Sequence, residues 1–208
     1  MNDNFQNIPQ EGTPEYEDMM RKYYGDDYEI GYRVGFGKRL SAYLIDKVIY
    51  SLLTMFVFLS NNSFMALVSK NQGNLDVFNS DLLKSYSDVI LEMTPLLTLI
   101  GFLYYSLEIF FAQSIGKMII GIKIGNENRT KADLTQLLIR YFVKNADTVI
   151  GLIVVITSLK FLTSLQSFVT IIIFFGCFMV LARKRQALHD IPAKTAVFMK
   201  NAFKENNI

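Results

Sequence analysis

Two short stretches carry charge where charge is expensive. "RLSAYLID" places Arg39 seven residues before Asp46, and "RYFVKNAD" places Arg140 seven residues before Asp147. Each opens a long apolar block. Lys47 follows Asp46 directly, and Glu108 stands inside "PLLTLIGFLYYSLEIFFA". A charge at the centre of a bilayer costs roughly 2.5–3.5 kcal/mol on insertion scales, so such residues need partners or a purpose. Seven residues are nearly two helical turns, which puts each Arg and Asp on one helix face about 10 Å apart. That is too far for a direct pair within one helix, and cross-helix pairing is the expected solution. The candidate set is then three carboxylates, Asp46, Glu108 and Asp147, and three cations, Arg39, Lys47 and Arg140. Tyr43, Tyr50, Tyr104 and Tyr105 offer hydroxyl partners.

Two chemistries fit such a set, and both stay open at this point. In one, the cations satisfy the carboxylates and clasp the helices together; removing one partner then strands a buried charge at roughly 3–5 kcal/mol. In the other, a carboxylate is a candidate ion or proton site that trades a proton for a monovalent cation. Burial favours the neutral carboxyl and a nearby arginine favours the ion.

The elements that position these residues are membrane spans. Hydrophobic residues make up 51% of 208, and they fall in blocks without a helical or strand period. Spans are expected at about 40–60 and 95–112. The apolar block from 146 to 182 is too long for one crossing of a ~30 Å core, and it reads as two spans, about 146–162 and 165–182, turning near Lys160 and Gln166. Fifteen basic residues then fall on one side of the membrane and three, Lys70, Lys84 and Lys160, on the other, which places both termini in the cytoplasm. "MNDNFQNIPQEGTPEYEDMM" lacks the basic and apolar regions of a signal peptide, so targeting is expected from the first span.

Between the spans the chain reads as follows. Residues 1–32 form an acidic tail with a short helix at 14–24, where Thr13 suits the N-cap, Pro14 the first turn and Gly25 the stop. Tyr16, Met19, Met20, Tyr23 and Tyr24 fall on one face of it, and Glu17–Arg21 and Asp18–Lys22 are spaced as i, i+4 pairs. Its polar face is acidic, which argues for packing on the protein's own cytoplasmic face or on a partner over the lipid surface. The outer segment 61–91, with Asp76, Asp81, Lys84 and Asp88, reads as a solvated connector. "KMIIGIKI" and "KTAVFM" are strand candidates that can pair into a cytoplasmic ribbon. "KADLTQLLIRYFVKNAD" is an amphipathic helix entering the third span. In the cytoplasmic loops Gly116, Lys117, Gly121, His189 and Asp190 have structural roles, with "HD" as a cap or tether. The main body covers 33–200, and 201–208 is a C-terminal tail.

Several functions are excluded or disfavoured. A net charge of +2 is too small to call for nucleic acid. "GKM" and "GFGKRL" lack the Ser/Thr that a P-loop needs for its metal. His189 is the only histidine, so a His-based zinc site is out of reach and Ser-His-Asp catalysis lacks a nucleophile elbow. Cys177 is the only cysteine, so no intramolecular disulfide forms. No cofactor is called for, and an enzyme is not expected.

Four pieces in order, "GKRLSAYLIDKVI", "QSIGKMIIGIKI", "LIRYFVKNAD" and "RQALHDIPAKTAVF", resemble the RDD family of bacterial membrane proteins, named for an arginine and an aspartate in the first span and an aspartate in a later one. The matching positions are Arg39, Asp46, Arg140 and Asp147. Ser114 stands where the family often has threonine, and Pro192 follows the "HD". The resemblance implies a multi-span protein of the bacterial inner membrane involved in transport, with cation/proton antiport proposed for some members. The expected whole is an all-α integral membrane protein with four transmembrane helices, both termini cytoplasmic, a small cytoplasmic β-ribbon and an N-terminal amphipathic helix. Its expected partners are the lipid bilayer, a monovalent cation, protons, and copies of itself. The alternative is a non-transporting subunit of a membrane protein complex that presents the 14–24 face.

Overall fold

The computed structural model describes residues 9–10, 13–71, 80–157 and 161–204. Asp76, Lys160 and the last four residues of the C-terminal tail lie outside the described residues. The chain divides into two compact units, residues 40–120 and the remainder.

In the first of these, α3 (Phe36–Ser60) carries the opening charges, followed by α4 (Asn62–Lys70), α5 (Ser80–Phe111) and α6 (Ile115–Ile120). The first four residues of α3 belong to the other unit. Asn61 caps α4 by accepting the Phe64 N–H at 2.8 Å. The connector expected between the first two spans is therefore helical over much of its described length. Asn61 supplies the N-cap signal, and α5 begins at Ser80, well before the apolar run at 95. At 32 residues α5 is about 48 Å long, and it holds Pro95 within it. It packs on α3 through aromatic side chains. Tyr50 lies 6.1 Å from Tyr104 and 5.8 Å from Tyr105 between ring centres, and its hydroxyl donates to the Leu97 carbonyl. Gly101 makes room for that hydroxyl, since a Cβ there would sit 3.1 Å from it.

The other unit is built on a ribbon. β1 (Ile122–Asn126) and β2 (Thr195–Met199) pair antiparallel, with Ile124 opposite Val197. Ile122, Ile124, Ala196, Val197 and Phe198 are fully buried. Consecutive strand residues point to opposite faces, so both faces of β2 are covered. Its free edge is used as well: the Val34 N–H donates to the Val197 carbonyl. The strand expected over "KMIIGIKI" is divided. Residues 115–120 are helical, Gly121 turns the chain at φ +76°, and only Ile122 onward pairs. A left-handed φ is open to glycine without strain, which suits Gly121 to the turn from helix to strand.

α1 (Pro14–Tyr24) begins at Thr13, whose hydroxyl accepts the Tyr16 N–H, and stops at Gly25 with φ +55°. α2 (Asp26–Gly31) follows. α7 (Leu134–Lys144) starts on a capping box of Asp133 and Gln136 and buries Leu137, Arg140 and Tyr141. One residue separates it from α8 (Ala146–Thr157), which packs along α9 (Phe161–Cys177) as a helical hairpin, with Gly151 against Gln166. A 3-10 turn, Phe178–Leu181, prolongs α9.

Among the described residues three helices are long and apolar enough to cross a membrane: Phe36–Ser60, Ser80–Phe111 and Phe161–Leu181. The described part of α8, 12 residues or about 18 Å, is shorter than a crossing requires.

Candidate functional site

The predicted charges separate into two constellations. The first is centred on Asp190, in the turn after α9. Its carboxylate is fully buried and lies between two guanidinium groups. Arg39 donates to Asp190 Oδ2 at 2.6 Å, and Arg140 pairs with Oδ1. The Ala187 N–H also donates to Oδ2, at 3.0 Å. Arg39 spends its other donors on the carbonyls of Val34 and Arg185, and Arg140 reaches the Thr195 hydroxyl. Thr195 in turn donates its N–H to the Asp190 carbonyl, which ties this turn to the first residue of β2. His189 lies 3.7 Å from the same carboxylate. The turn is seated on α9, where Gly176 is close-packed under Leu188 and its carbonyl accepts the Leu188 N–H.

The second constellation lies in the span unit, around Asp46. This carboxylate is buried and accepts three hydrogen bonds, each from a neutral donor. Tyr104 donates to Oδ1 at 2.8 Å, the Gly116 N–H to Oδ1 at 2.7 Å, and the Ser114 hydroxyl to Oδ2 at 2.5 Å. Glycine is required at 116, because a Cβ there would lie 2.1 Å from the Ala42 carbonyl oxygen and 2.9 Å from the Asp46 carboxyl carbon. Glu108, also buried, pairs with Lys117 at 2.5 Å. Lys47 stands over the rings of Tyr43 and Tyr105, 5.3 and 5.8 Å from their centres, a cation–π arrangement. Asp147 is half-exposed in the first turn of α8, with the Thr148 hydroxyl 3.5 Å away.

The described pairs group these charges differently from the single cross-helix cluster that the spacing suggests. Arg39 and Arg140 share Asp190, while Asp46 and Glu108 have partners within residues 40–120. Helical spacing puts an Arg and an Asp on one face but says nothing of which distant loop covers each level of that face. The Asp190 carboxylate is the common counter-ion of Arg39 and Arg140, and its backbone carbonyl accepts the Thr195 N–H. Lys117 pairs with Glu108, and the Gly116 N–H donates to Asp46. Ser114, Tyr104 and Thr195 complete the two sites. Of these only Ser114 carries a local signal, through its place in "QSIGK" next to the buried glycine.

A third charged region fastens α1 and α2. The buried Arg129 pairs with both Glu17 and Glu29 and stacks 3.8 Å from the Tyr32 ring centre. Lys204 reaches Glu29 at 2.7 Å and Glu17 at 3.3 Å, and Arg21 reaches Glu29 at 3.1 Å. The expected Glu17–Arg21 pair gives way to these contacts, because a buried guanidinium outcompetes a solvated neighbour one turn away. Burial opposes the charge on Arg129, but the Glu29 hydrogen bond and the two carboxylates outweigh it and raise its pKa. Burial, with hydrogen bonds to Tyr32 and Glu17, pushes the Tyr28 phenol well above its ordinary value. α1 therefore docks through its acidic side, and Tyr23 and Tyr24 face outward.

Among the described residues no group of three or more His, Cys, Asp and Glu side chains is placed to hold a metal ion. The Asp46 site does present several oxygens together: its carboxylate, the Tyr104 and Ser114 hydroxyls, and the nearby Ala42 carbonyl.

The family model of the RDD family matches residues 33–194, more than three quarters of the chain. That range takes in both constellations except Thr195, one residue beyond its end, and excludes α1 and α2. No curated protein and no solved structure matches the chain.

Proposed function

We propose, for a chain that belongs to the RDD family of membrane proteins, that it is a small multi-pass transporter in which Asp46 trades a proton for a monovalent cation. One observation carries this reading. Asp46 is buried in a candidate span, and its three partners are all neutral donors. A carboxylate paired with an arginine faces a full opposite charge, whereas Asp46 is held by two hydroxyls and one backbone N–H, which carry none. With a proton bound, it donates to one of the hydroxyls. Without it, it offers a hard oxygen to a cation such as Na⁺, and the Tyr104 and Ser114 hydroxyls rotate to present lone pairs. Proton and cation compete for one carboxylate, so binding of one goes with release of the other. In this reading the Arg39–Asp190–Arg140 group is a fixed frame. The Glu108–Lys117 pair balances charge near the exchange site. Asp147 and Lys47 are peripheral.

The setting that completes the reading is the bacterial inner membrane, with both termini in the cytoplasm and α8 as the core of a further span. Four helices make a thin wall, so the conduction path is completed by a second copy of the chain. A second reading, a non-transporting subunit of a membrane complex, is favoured by the outward Tyr23 and Tyr24 on α1, at 78% and 60% exposure.

The test is proton flux in proteoliposomes with a pH-sensitive dye, driven by an imposed Na⁺ or K⁺ gradient. Cation-dependent flux that is lost in Asp46→Asn, with wild-type elution and melting of that variant, supports exchange. No flux in the wild type, together with a co-purifying partner lost in Tyr23→Ser/Tyr24→Ser, sinks it in favour of the second reading.

A further inference from the structure

The turn that carries Arg183, Lys184 and Arg185 leaves the third candidate span beside the start of the first. Phe36, the first residue of α3, stacks on Phe178 with ring centres 5.6 Å apart. Here a cleft of about 730 Å³ opens, and its wall is divided by chemistry. Ile30, Phe36 and Leu181 are apolar; Arg183, Arg185 and Asp27 are charged. Phe36 and Leu181 are end residues of two candidate spans, so the apolar part of the cleft lies where those spans begin and end.

The turn is held from beneath by backbone contacts. Arg33 donates to the Lys184 carbonyl at 2.9 Å, and Arg39 to the Arg185 carbonyl at 2.8 Å. Arg185 donates back to the Arg33 carbonyl at 3.1 Å. The main chain of the turn is therefore fixed by the buried arginines, and its own arginines are presented outward. Arg183 is 79% exposed, and its counter-ion Asp27 is 53% exposed. Two guanidinium groups against one carboxylate leave the cleft with one unbalanced positive charge.

We propose that this cleft seats the phosphodiester headgroup of an anionic phospholipid. The phosphate takes the place of Asp27 on Arg183, where the planar guanidinium fork matches two of its oxygens. A single negative charge neutralises the cleft, and the acyl chains leave along Phe36 and Leu181. Basic pockets where spans leave the hydrocarbon are suited to anionic headgroups. Inorganic phosphate shares the headgroup's chemistry but has nothing to bury against Ile30, Phe36 and Leu181. A zwitterionic headgroup brings its own cation against the two arginines and is disfavoured.

The experiment places the full chain in nanodiscs of equimolar phosphatidylglycerol and phosphatidylcholine and counts the lipids retained on release by native mass spectrometry. Phosphatidylglycerol is retained in preference. Arg183→Gln lowers that retention about fivefold, the effect of one basic side chain near an anionic lipid. Asp27→Asn raises it, since the competing carboxylate is gone. Millimolar inorganic phosphate leaves it unchanged. Both side chains are exposed, so wild-type gel-filtration behaviour of the two variants is the fold control. Equal retention of the two lipids overturns the proposal, as does wild-type retention in Arg183→Gln. Displacement by inorganic phosphate overturns it in favour of a free-anion site.

Discussion

Replacing Asp190 by asparagine removes one charge and almost nothing else. Asparagine keeps the volume, and its carbonyl oxygen can still accept the Ala187 N–H. What is lost is the shared counter-ion of Arg39 and Arg140, whose side chains are only 12% and 3% exposed. Stranding one buried charge costs about 3–5 kcal/mol. For a chain of this size each kcal/mol moves the melting temperature by about 2–4 °C, so the expected drop is about 6–20 °C. Arg140→Gln is milder, because it gives up the pair with Asp190 and the bond to Thr195 but leaves a neutral Arg39–Asp190 pair with no charge stranded. The double variant is then less unstable than the two losses added together, since the arginine it removes no longer has a counter-ion to lose. Asp147→Asn, the equivalent change in the duplicated motif, moves the midpoint by less than about 2 °C, as befits a half-exposed side chain. The assay is the detergent-solubilised fraction that survives heating, followed by gel filtration. Strict additivity in the double variant, or a larger loss from Asp147→Asn than from Asp190→Asn, would refute the shared-counter-ion geometry.

Gly116→Ala meets the backbone carbonyl of Ala42 at 2.1 Å, so the chain must shift and the Gly116 N–H leaves Asp46. Melting falls by well over 5 °C, and cation-dependent flux is lost with it. Arg129→Gln leaves Glu17 and Glu29 without their buried partner at a cost of roughly 3 kcal/mol, so α1 and α2 open about a hundredfold more often. Trypsin cleavage at Arg21 and Lys22 reports it. The raised pKa of Tyr28 means that its contribution to stability is complete below the ordinary phenol value near 10 and is lost as pH rises beyond it. Melting of the wild type therefore falls more steeply above pH 10 than that of Tyr28→Phe.

Local chemistry accounts for the element ends that the sequence makes legible. Thr13, Pro14 and Gly25 bound α1, Asp133 and Gln136 start α7, and "KTAVFM" contains β2. The apolar block at 40–60 lies inside α3, and that at 95–112 lies inside α5 but for its last residue. Elsewhere a contact from far along the chain decides. "KMIIGIKI" has strand composition throughout, yet only Ile122 onward has a partner strand, and that partner lies more than seventy residues away. Arg39 and Asp190 are separated by 151 positions. Nothing in "HD" announces that its aspartate will be buried between two arginines.

The duplicated Arg-x6-Asp motif looks like one device used twice, but its two halves take different environments. Arg39 and Asp46 lie nearly two turns apart on one helix, α3, whereas α7 ends at Lys144, so that Arg140 belongs to α7 and Asp147 to the first turn of α8. Asp46 meets tyrosine, serine and a glycine N–H, and Asp147 a half-open surface. The division has a chemical consequence. Two full positive charges answer the Asp190 carboxylate, and only the dipoles of two hydroxyls and one backbone N–H answer that of Asp46. The frame read at Asp190 and the exchange proposed at Asp46 rest on that difference in partners.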